Sequence, residues 1–370
     1  MTTTLVVTND FPPTIGGIEA FVAQVCRLIG DVVVVTREHD RAAGTDRGLP
    51  FPVCRLPVPV LLPTPDTAAV AVRSLRRHRA SRVVYGAAAP LGLLAPRLHR
   101  AGAEHQLAIS HGHETWWARL PGSRQALRRI GDHVDAVSYI SGFTRGVIAP
   151  ALSPAARAAM VRLAPPVDTR AFRPGDPPSR PTVVAAGRMV RQKGFDTLLT
   201  AWGLLLQGWT GAPPELVLIG EGPDRRRLGR LARALPSGTV RWAGAVPHAE
   251  IPALLAAAHV FALPVRTRLG GLNPEGLGLV FAEAAACGLA VLAGASGGTG
   301  DTLVPGVSGH RLDPGDPKIW ATTLRALLAA PDHCRRMGED GRAHVIERFS
   351  PEAAATVLGQ VLDLPEPQQR

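Results

Sequence analysis

Two glutamates, Glu275 and Glu283, lie eight positions apart in the stretch NPEGLGLVFAEAAACG, with Gly276 and Gly278 placed just after the first. Carboxylates accept hydrogen bonds from sugar hydroxyls, and a glycine-bordered helix start offers unpaired amides and a positive dipole end to a phosphate. The apolar pattern predicts a helix over 281–287. If the whole stretch were helical, a rise of ~1.5 Å per residue would separate the two carboxylates by roughly 12 Å. Acids at either end of an anion site suit a nucleotide diphosphate sugar. Upstream, GRMVRQKG follows a strand pattern and places Arg188 five positions before Lys193. A forked guanidinium and a compact ammonium can converge there on a diphosphate leaving group. Two glycine turns, Gly16-Gly17 and Gly297-Gly298-Thr299, each follow a strand pattern and let a phosphate or sugar approach the backbone. Any one of these taken alone reads as a solvated loop or surface charge, and it is their combination that points to a site.

The elements that must position these residues are legible from apolar runs. Strand patterns over 5–8, 32–36, 53–56, 82–86, 106–110 and 136–140 alternate with helical stretches, the first at 18–29. That alternation predicts a parallel sheet covered on both faces, with ligands at the carboxyl ends of its strands. His111, Gly112, His113 and Glu114 occupy such a strand end. A proline-rich, aperiodic segment over 173–181 predicts a linker between a first domain, 1–172, and a second, 182–350. In the second, strands over 182–186, 216–219, 239–242, 260–263 and 290–292 and a helix over 195–206 repeat the pattern. A last helix over 351–364, with Ser350 as its N-cap and Pro351 at its first position, comes too late for the second sheet and is expected to pack back on the first domain.

A chain of 370 residues, 46% hydrophobic and 19% charged, fits two α/β domains and reads as globular, not disordered. Cys26, Cys54, Cys287 and Cys334 are too scattered for a disulfide framework or a zinc site, which predicts reduced thiols in a cytoplasmic protein. MTTTLVVTND enters a strand pattern directly, and the longest apolar run, 251–265, is broken by a histidine and prolines, so neither a leader nor a membrane span is expected. The net charge of +11 is uneven: residues 1–180 hold 22 Arg and Lys against 13 Asp and Glu, residues 181–370 hold 19 against 17. A basic first half favours an anionic partner.

Taken together, the glycine turn after the first strand, the strand-end histidine, the Arg-x4-Lys pair, GEGPD, the Glu-x7-Glu motif and the late helix resemble the retaining family 4 glycosyltransferases of the GT-B fold, over nearly the whole chain. TNDFPPTIGGIEAF, YGAAAPLGLLAP, SHGHE, LRRIGD and EGLGLVFAEA are most similar to the actinobacterial phosphatidylinositol mannoside mannosyltransferases of the PimB type. The resemblance implies α/β architecture of two Rossmann-like domains facing each other across a cleft, the C-terminal helix crossing back to the first. It implies a GDP-mannose donor, retention at the anomeric carbon, no metal or other cofactor, and a phosphatidylinositol mannoside or similar lipid acceptor. On its terms Glu275 holds hexose hydroxyls, Glu283 the ribose, and Arg188 and Lys193 the diphosphate. His111 approaches the transferred sugar, with His113 the alternative, and Gly16 and Gly17 border the diphosphate and acceptor. Val246, Gly276, Leu277, Gly278 and Leu279 complete the donor contacts. This sequence departs from the pattern after Gly298, where Asp301 stands near the place of a glutamate.

Trp116 and Trp117, followed by Arg119, Arg124, Arg128 and Arg129, and the run Arg73, Arg76, Arg77, Arg79 and Arg82 put aromatic and basic groups in the basic half. Such mixtures suit an anionic membrane surface and predict peripheral attachment at the inner face of the plasma membrane, with co-sedimentation on anionic but not neutral vesicles. The alternatives are a secondary-metabolite glycosyltransferase with a soluble acceptor and another nucleotide sugar; an epimerase; a phosphorylase, for whose pyridoxal Schiff base only Lys193 and Lys318 exist; and a basic nucleic-acid-binding protein. Nucleic acid is disfavoured as a partner, because no binding motif accompanies the charge.

Overall fold

The computed structural model describes residues 3–112, 114–176, 178–268, 271 and 273–365. Two compact units emerge, one formed by Met1–Pro166 with Pro351–Arg370, the other by Val167–Ser350.

The first unit carries seven strands: β1 (Thr4–Val7), β2 (Val32–Arg37), β3 (Val53–Leu56), β4 (Arg82–Tyr85), β5 (His105–Ala108), β6 (Ala136–Tyr139) and β7 (Val161–Arg162). They pair in parallel in the order β3-β2-β1-β4-β5-β6-β7. Side chains alternate across a strand, so neighbouring valines serve different cores. Leu5, Val7, Val33, Val35, Val83 and Tyr85 face a cluster with Ala68, Ala71 and Leu75 of the helix Pro65–Arg77. Val6, Val32, Val34, Val84 and Leu107 face the opposite cluster with Phe21, Val22 and Val25 of the helix Gly17–Ile29. The helix Pro351–Leu362 joins that second cluster through Ala354, Leu358 and Leu362, a four-residue spacing that keeps one stripe inward. Its last turn is capped by Arg82, whose Nε donates to the Leu362 carbonyl at 2.6 Å and whose Nη2 donates to that of Asp363. Arg82 is therefore a structural cap, contrary to its expected place in a basic surface run.

The second unit pairs β8 (Thr182–Ala186), β9 (Glu215–Ile219), β10 (Val240–Gly244), β11 (Val260–Leu263), β12 (Ala290–Gly294) and β13 (Gly309–Leu312) in parallel, in the order β10-β9-β8-β11-β12-β13. The central strands are apolar on both faces because helices cover both. Phe261 of β11 meets Phe281 of the helix Leu279–Ala286 edge to face, with ring centroids 5.6 Å apart. Two strands escape sequence reading. β7 is two residues long, and β13, sequence GHRL, sits at an edge where polar residues replace the β-branched run. No described helix is long and apolar enough to cross a membrane.

Candidate active site

The loop after β8 leads through a tight turn, Arg191–Lys193, into the helix Phe195–Leu206. Gly194 closes that turn at φ +72°, and a Cβ there would lie 1.9 Å from the Pro264 carbonyl oxygen, so only glycine fits. The turn aims Lys193 at Glu275: Nζ and Oε2 are 2.7 Å apart, with the side chains 21% and 16% exposed. A charge-assisted contact this short and this screened from water contributes on the order of 1.5–3 kcal/mol. Arg188 is exposed and makes no ion pair among the described residues. Lys193 thus compensates a carboxylate while the Arg188 guanidinium faces solvent.

Glu275 is held at its backbone from a third loop. Its N–H donates to Ser296 Oγ at 3.1 Å, its carbonyl accepts from Gly298 N–H at 2.9 Å, and buried Ser296 shares a 2.8 Å hydrogen bond with Thr267 Oγ1. Gly297, at φ +49°, comes so close that a Cβ would lie 2.0 Å from the Glu275 carbonyl oxygen. The Gly298 amide is thus committed to Glu275, and the turn is a clamp on that residue. Ser296 and Thr267 were missed, although Ser296 and Thr299 form a capping box that sequence spacing could have shown. Asn273 and Gln192 exchange two hydrogen bonds, of 3.2 and 3.3 Å, and tie the Glu275 segment to the Lys193 turn again.

The helix carrying Glu283 starts only at Leu279, so Glu275 precedes it and the estimate of roughly 12 Å for a continuous helix does not apply. Gly276 and Gly278 lead into that helix; Leu277 is 5% exposed and packs inward, leaving its backbone as its polar surface. Glu283 is 9% exposed, and its Oε1 lies 3.4 Å from Nε2 of His248. The hydrogen bond and charge of Glu283 hold the His248 imidazole above its ordinary pKa. Val246 is half-buried in the loop between β10 and the turn His248–Glu250.

Behind the Lys193 turn lies an ion network that the sequence did not announce. Asp224, from GEGPD, accepts from Arg227 Nε at 2.8 Å and Nη2 at 2.6 Å and lies 3.3 Å from Arg191 Nε. Arg227 also reaches Asp196 at 3.1 Å, and Arg266 pairs with the same carboxylate. The Arg227 hydrogen bond holds Asp224 below the usual carboxylate range, and Asp224 in turn raises Arg227. Backbone bonds from Met189 N–H to Glu221 and from Asp224 N–H to Met189, 2.8 and 3.0 Å, lock GEGPD against GRMVRQKG.

In the first unit, SHGHE folds around the buried Glu114. Its Oε2 accepts from Ser110 Oγ at 3.0 Å and from the amides of His111 and Gly112 at 3.0 and 3.1 Å. His111 turns its ring edge to face Phe21, centroids 5.7 Å apart, and its Nε2 meets the Gly86 carbonyl; a carbonyl only accepts, so Nε2 carries the proton. His113 lies outside the described residues. Gly16 caps the helix Gly17–Ile29 with extended backbone, and a Cβ on Gly17 would meet nothing within 4 Å. Neither glycine lies in the left-handed region.

Parallel α/β units bind ligands beyond the carboxyl ends of their strands, and the acidic and basic side chains described above gather in those strand-end loops. Residues 168–344 match the family described as Glycosyl transferases group 1. The chain is 39% identical over 98% of both chains to the GDP-mannose-dependent alpha-(1-6)-phosphatidylinositol monomannoside mannosyltransferase of Mycobacterium tuberculosis H37Rv, and 37% identical over 97% of both to the enzyme of Corynebacterium glutamicum named for the monoacylated form of that acceptor. Among solved structures, HepE of Anabaena in complex with UDP superposes at a TM-score of 0.76, covering 98% of this chain and 100% of that one at 18% identity. Sucrose-phosphate synthase of Thermosynechococcus elongatus superposes at 0.71 with 21% identity, covering 97% and 98%. These two show the fold alone. The chain is a glycosyltransferase of the GT-B fold, and it belongs to the family of the GDP-mannose-dependent phosphatidylinositol monomannoside mannosyltransferases.

Proposed function

We propose that the chain transfers mannose from GDP-mannose, with retention at the anomeric carbon, to a phosphatidylinositol mannoside. The observation that carries the reading is the Lys193 and Glu275 pair, an acid and a base from segments 82 residues apart held 2.7 Å from each other beside an amide-rich helix start. The full-length likeness to mannosyltransferases supplies the donor and acceptor. On binding, Lys193 transfers its charge from Glu275 to the diphosphate, and Arg188, already exposed, joins it. Glu275 is then free to accept from hexose hydroxyls, while Glu283 accepts from the ribose and Val246, Gly276, Leu277, Gly278 and Leu279 complete the donor contacts. As the C1–O bond breaks, the sugar develops oxocarbenium character, the acceptor hydroxyl attacks from the face the diphosphate leaves, and a diphosphate oxygen takes its proton.

In the first unit, the open space over Gly17 supports a ligand's approach to that turn, and His111, oriented by Gly86 and Phe21, takes part in the transfer. Exposed Arg73, Arg76, Arg77, Arg128 and Arg129 and half-exposed Trp116 favour contact with anionic headgroups.

The decisive experiment measures mannose transfer to purified phosphatidylinositol monomannoside by Lys193→Ala and Glu275→Ala. Each substitution is expected to lower kcat/KM by about a thousandfold, the scale for removing one transition-state charge partner, while the chain still folds cooperatively and its melting temperature falls only by the few degrees that losing the ion pair implies. Full activity in either variant overturns the assignment.

A further inference from the structure

His248 has no part in the reaction above, yet among the described residues it is the one side chain hydrogen-bonded to the buried Glu283. We propose that His248 is a positioning residue for Glu283: from the loop after β10 its Nε2, 3.4 Å from Oε1, donates to this carboxylate and holds it oriented to accept from the donor's ribose. The proposal rests on the reading of Glu283 as a donor carboxylate.

The environment of Glu283 creates the need. It projects from a helix whose other inward residues, Phe281, Ala282, Ala284, Ala285 and Ala286, are apolar and buried, and an ionised carboxylate in such surroundings requires a partner. A carboxylate has two oxygens, so one can hold the imidazolium while the other serves the ligand. His248 is itself braced: its ring meets Phe172 at 5.8 Å, inclined by 67°. Its side chain is 73% exposed, so it exchanges protons with solvent while reaching a buried acid.

The other titratable groups nearby leave Glu283 as its acidic partner. Glu250, on the same turn, is exposed; the Cys287 thiol, on the helix of Glu283, is pushed up to about 12 by burial and stays neutral. Arg173 follows Phe172 in the chain, and Arg342, from the helix Pro331–Phe349, donates to the Phe172 carbonyl at 3.0 Å, which fixes the ring that braces His248. Glu283 raises the imidazole from its ordinary 6.5, so His248 is mostly protonated at that pH. As pH rises through the raised value, His248 loses its proton, Glu283 loses its counter-charge and the donor is held less well.

The test is calorimetric titration of GDP-mannose into the full chain at pH 6.0 and 8.5, with His248→Ala, His248→Gln and Glu283→Ala, each checked for an unchanged melting transition. Wild type is expected to bind about five- to tenfold more tightly at the lower pH. His248→Ala should bind weakly and equally at both. His248→Gln, whose amide can still donate, should recover part of the affinity without the pH dependence. Steady-state kinetics of His248→Ala should show a raised donor KM and a kcat within about twofold of wild type, where a general loss of structure would lower kcat too. Wild-type affinity and pH response in His248→Ala overturn the proposal. Wild-type affinity in Glu283→Ala instead overturns the donor reading on which it stands, so the two failures are distinguishable.

Discussion

In the unit Val167–Ser350, the loops that follow the strands are tied to one another by charge: Lys193 to Glu275, Arg191 and Arg227 to Asp224, Arg227 and Arg266 to Asp196, His248 to Glu283. In the other unit, the turn after β5 is organised by one buried carboxylate, Glu114, gathering a hydroxyl and two backbone amides, while Arg73, Arg76 and Arg77 of the helix Pro65–Arg77 stay exposed. Both sheets are parallel and both cores apolar, so the contrast lies in the loops. Charges tied to each other at rest can be released to a ligand that carries charge of its own. The Glu114 oxygen that accepts from three donors of its own segment sets the turn instead.

The sharpest way to break this comparison is Glu114→Ala. Three donors would lose their acceptor at a buried site, costing about 3 kcal/mol or more, and chemical denaturation should show the first unit unfolding earlier while GDP-mannose affinity is retained. An equal loss of donor affinity would mean that the turn does more than hold its shape.

Gly297→Ala and Gly17→Ala sharpen it on the scale of a single methyl group. At Gly297 the added Cβ enters the Glu275 carbonyl at positive φ, so about 2 kcal/mol of stability and several-fold in donor affinity should be lost. At Gly17 the Cβ enters open space at the first position of a helix, so stability should stay within about 0.5 kcal/mol of wild type, and any fall in activity would report a ligand passing there.

The smallest expected effect is on pH. Burial pushes His259 below its ordinary 6.5, and its Nδ1 accepts from the Thr182 amide at 3.1 Å, which an imidazolium could not do. A lowered histidine binds its proton more readily in the unfolded chain, so its contribution is complete above 6.5 and is lost as pH falls from there through the folded value. The melting transition of the second unit should therefore decline between pH 7 and 5.5, and less so in His259→Asn, whose Oδ1 can accept the same amide without titrating.

The sequence by itself determined the two parallel sheets, most strand and helix positions, and the segments that carry Glu275, Glu283, Arg188 and Lys193, because apolar periodicity and glycine punctuation act between near neighbours. β13 was not legible, since an edge strand with His310 and Arg311 lacks the buried run that marks the others. Only the tertiary structure decided that Lys193 meets Glu275, that Ser296 holds the Glu275 backbone, and that His248 reaches Glu283, across 82, 21 and 35 residues. Such pairs arise because a parallel sheet gathers the carboxyl ends of distant strands along one edge. Side-chain partners there are chosen by strand order, which the chain adopts to bury its apolar faces, and no local pattern records that choice.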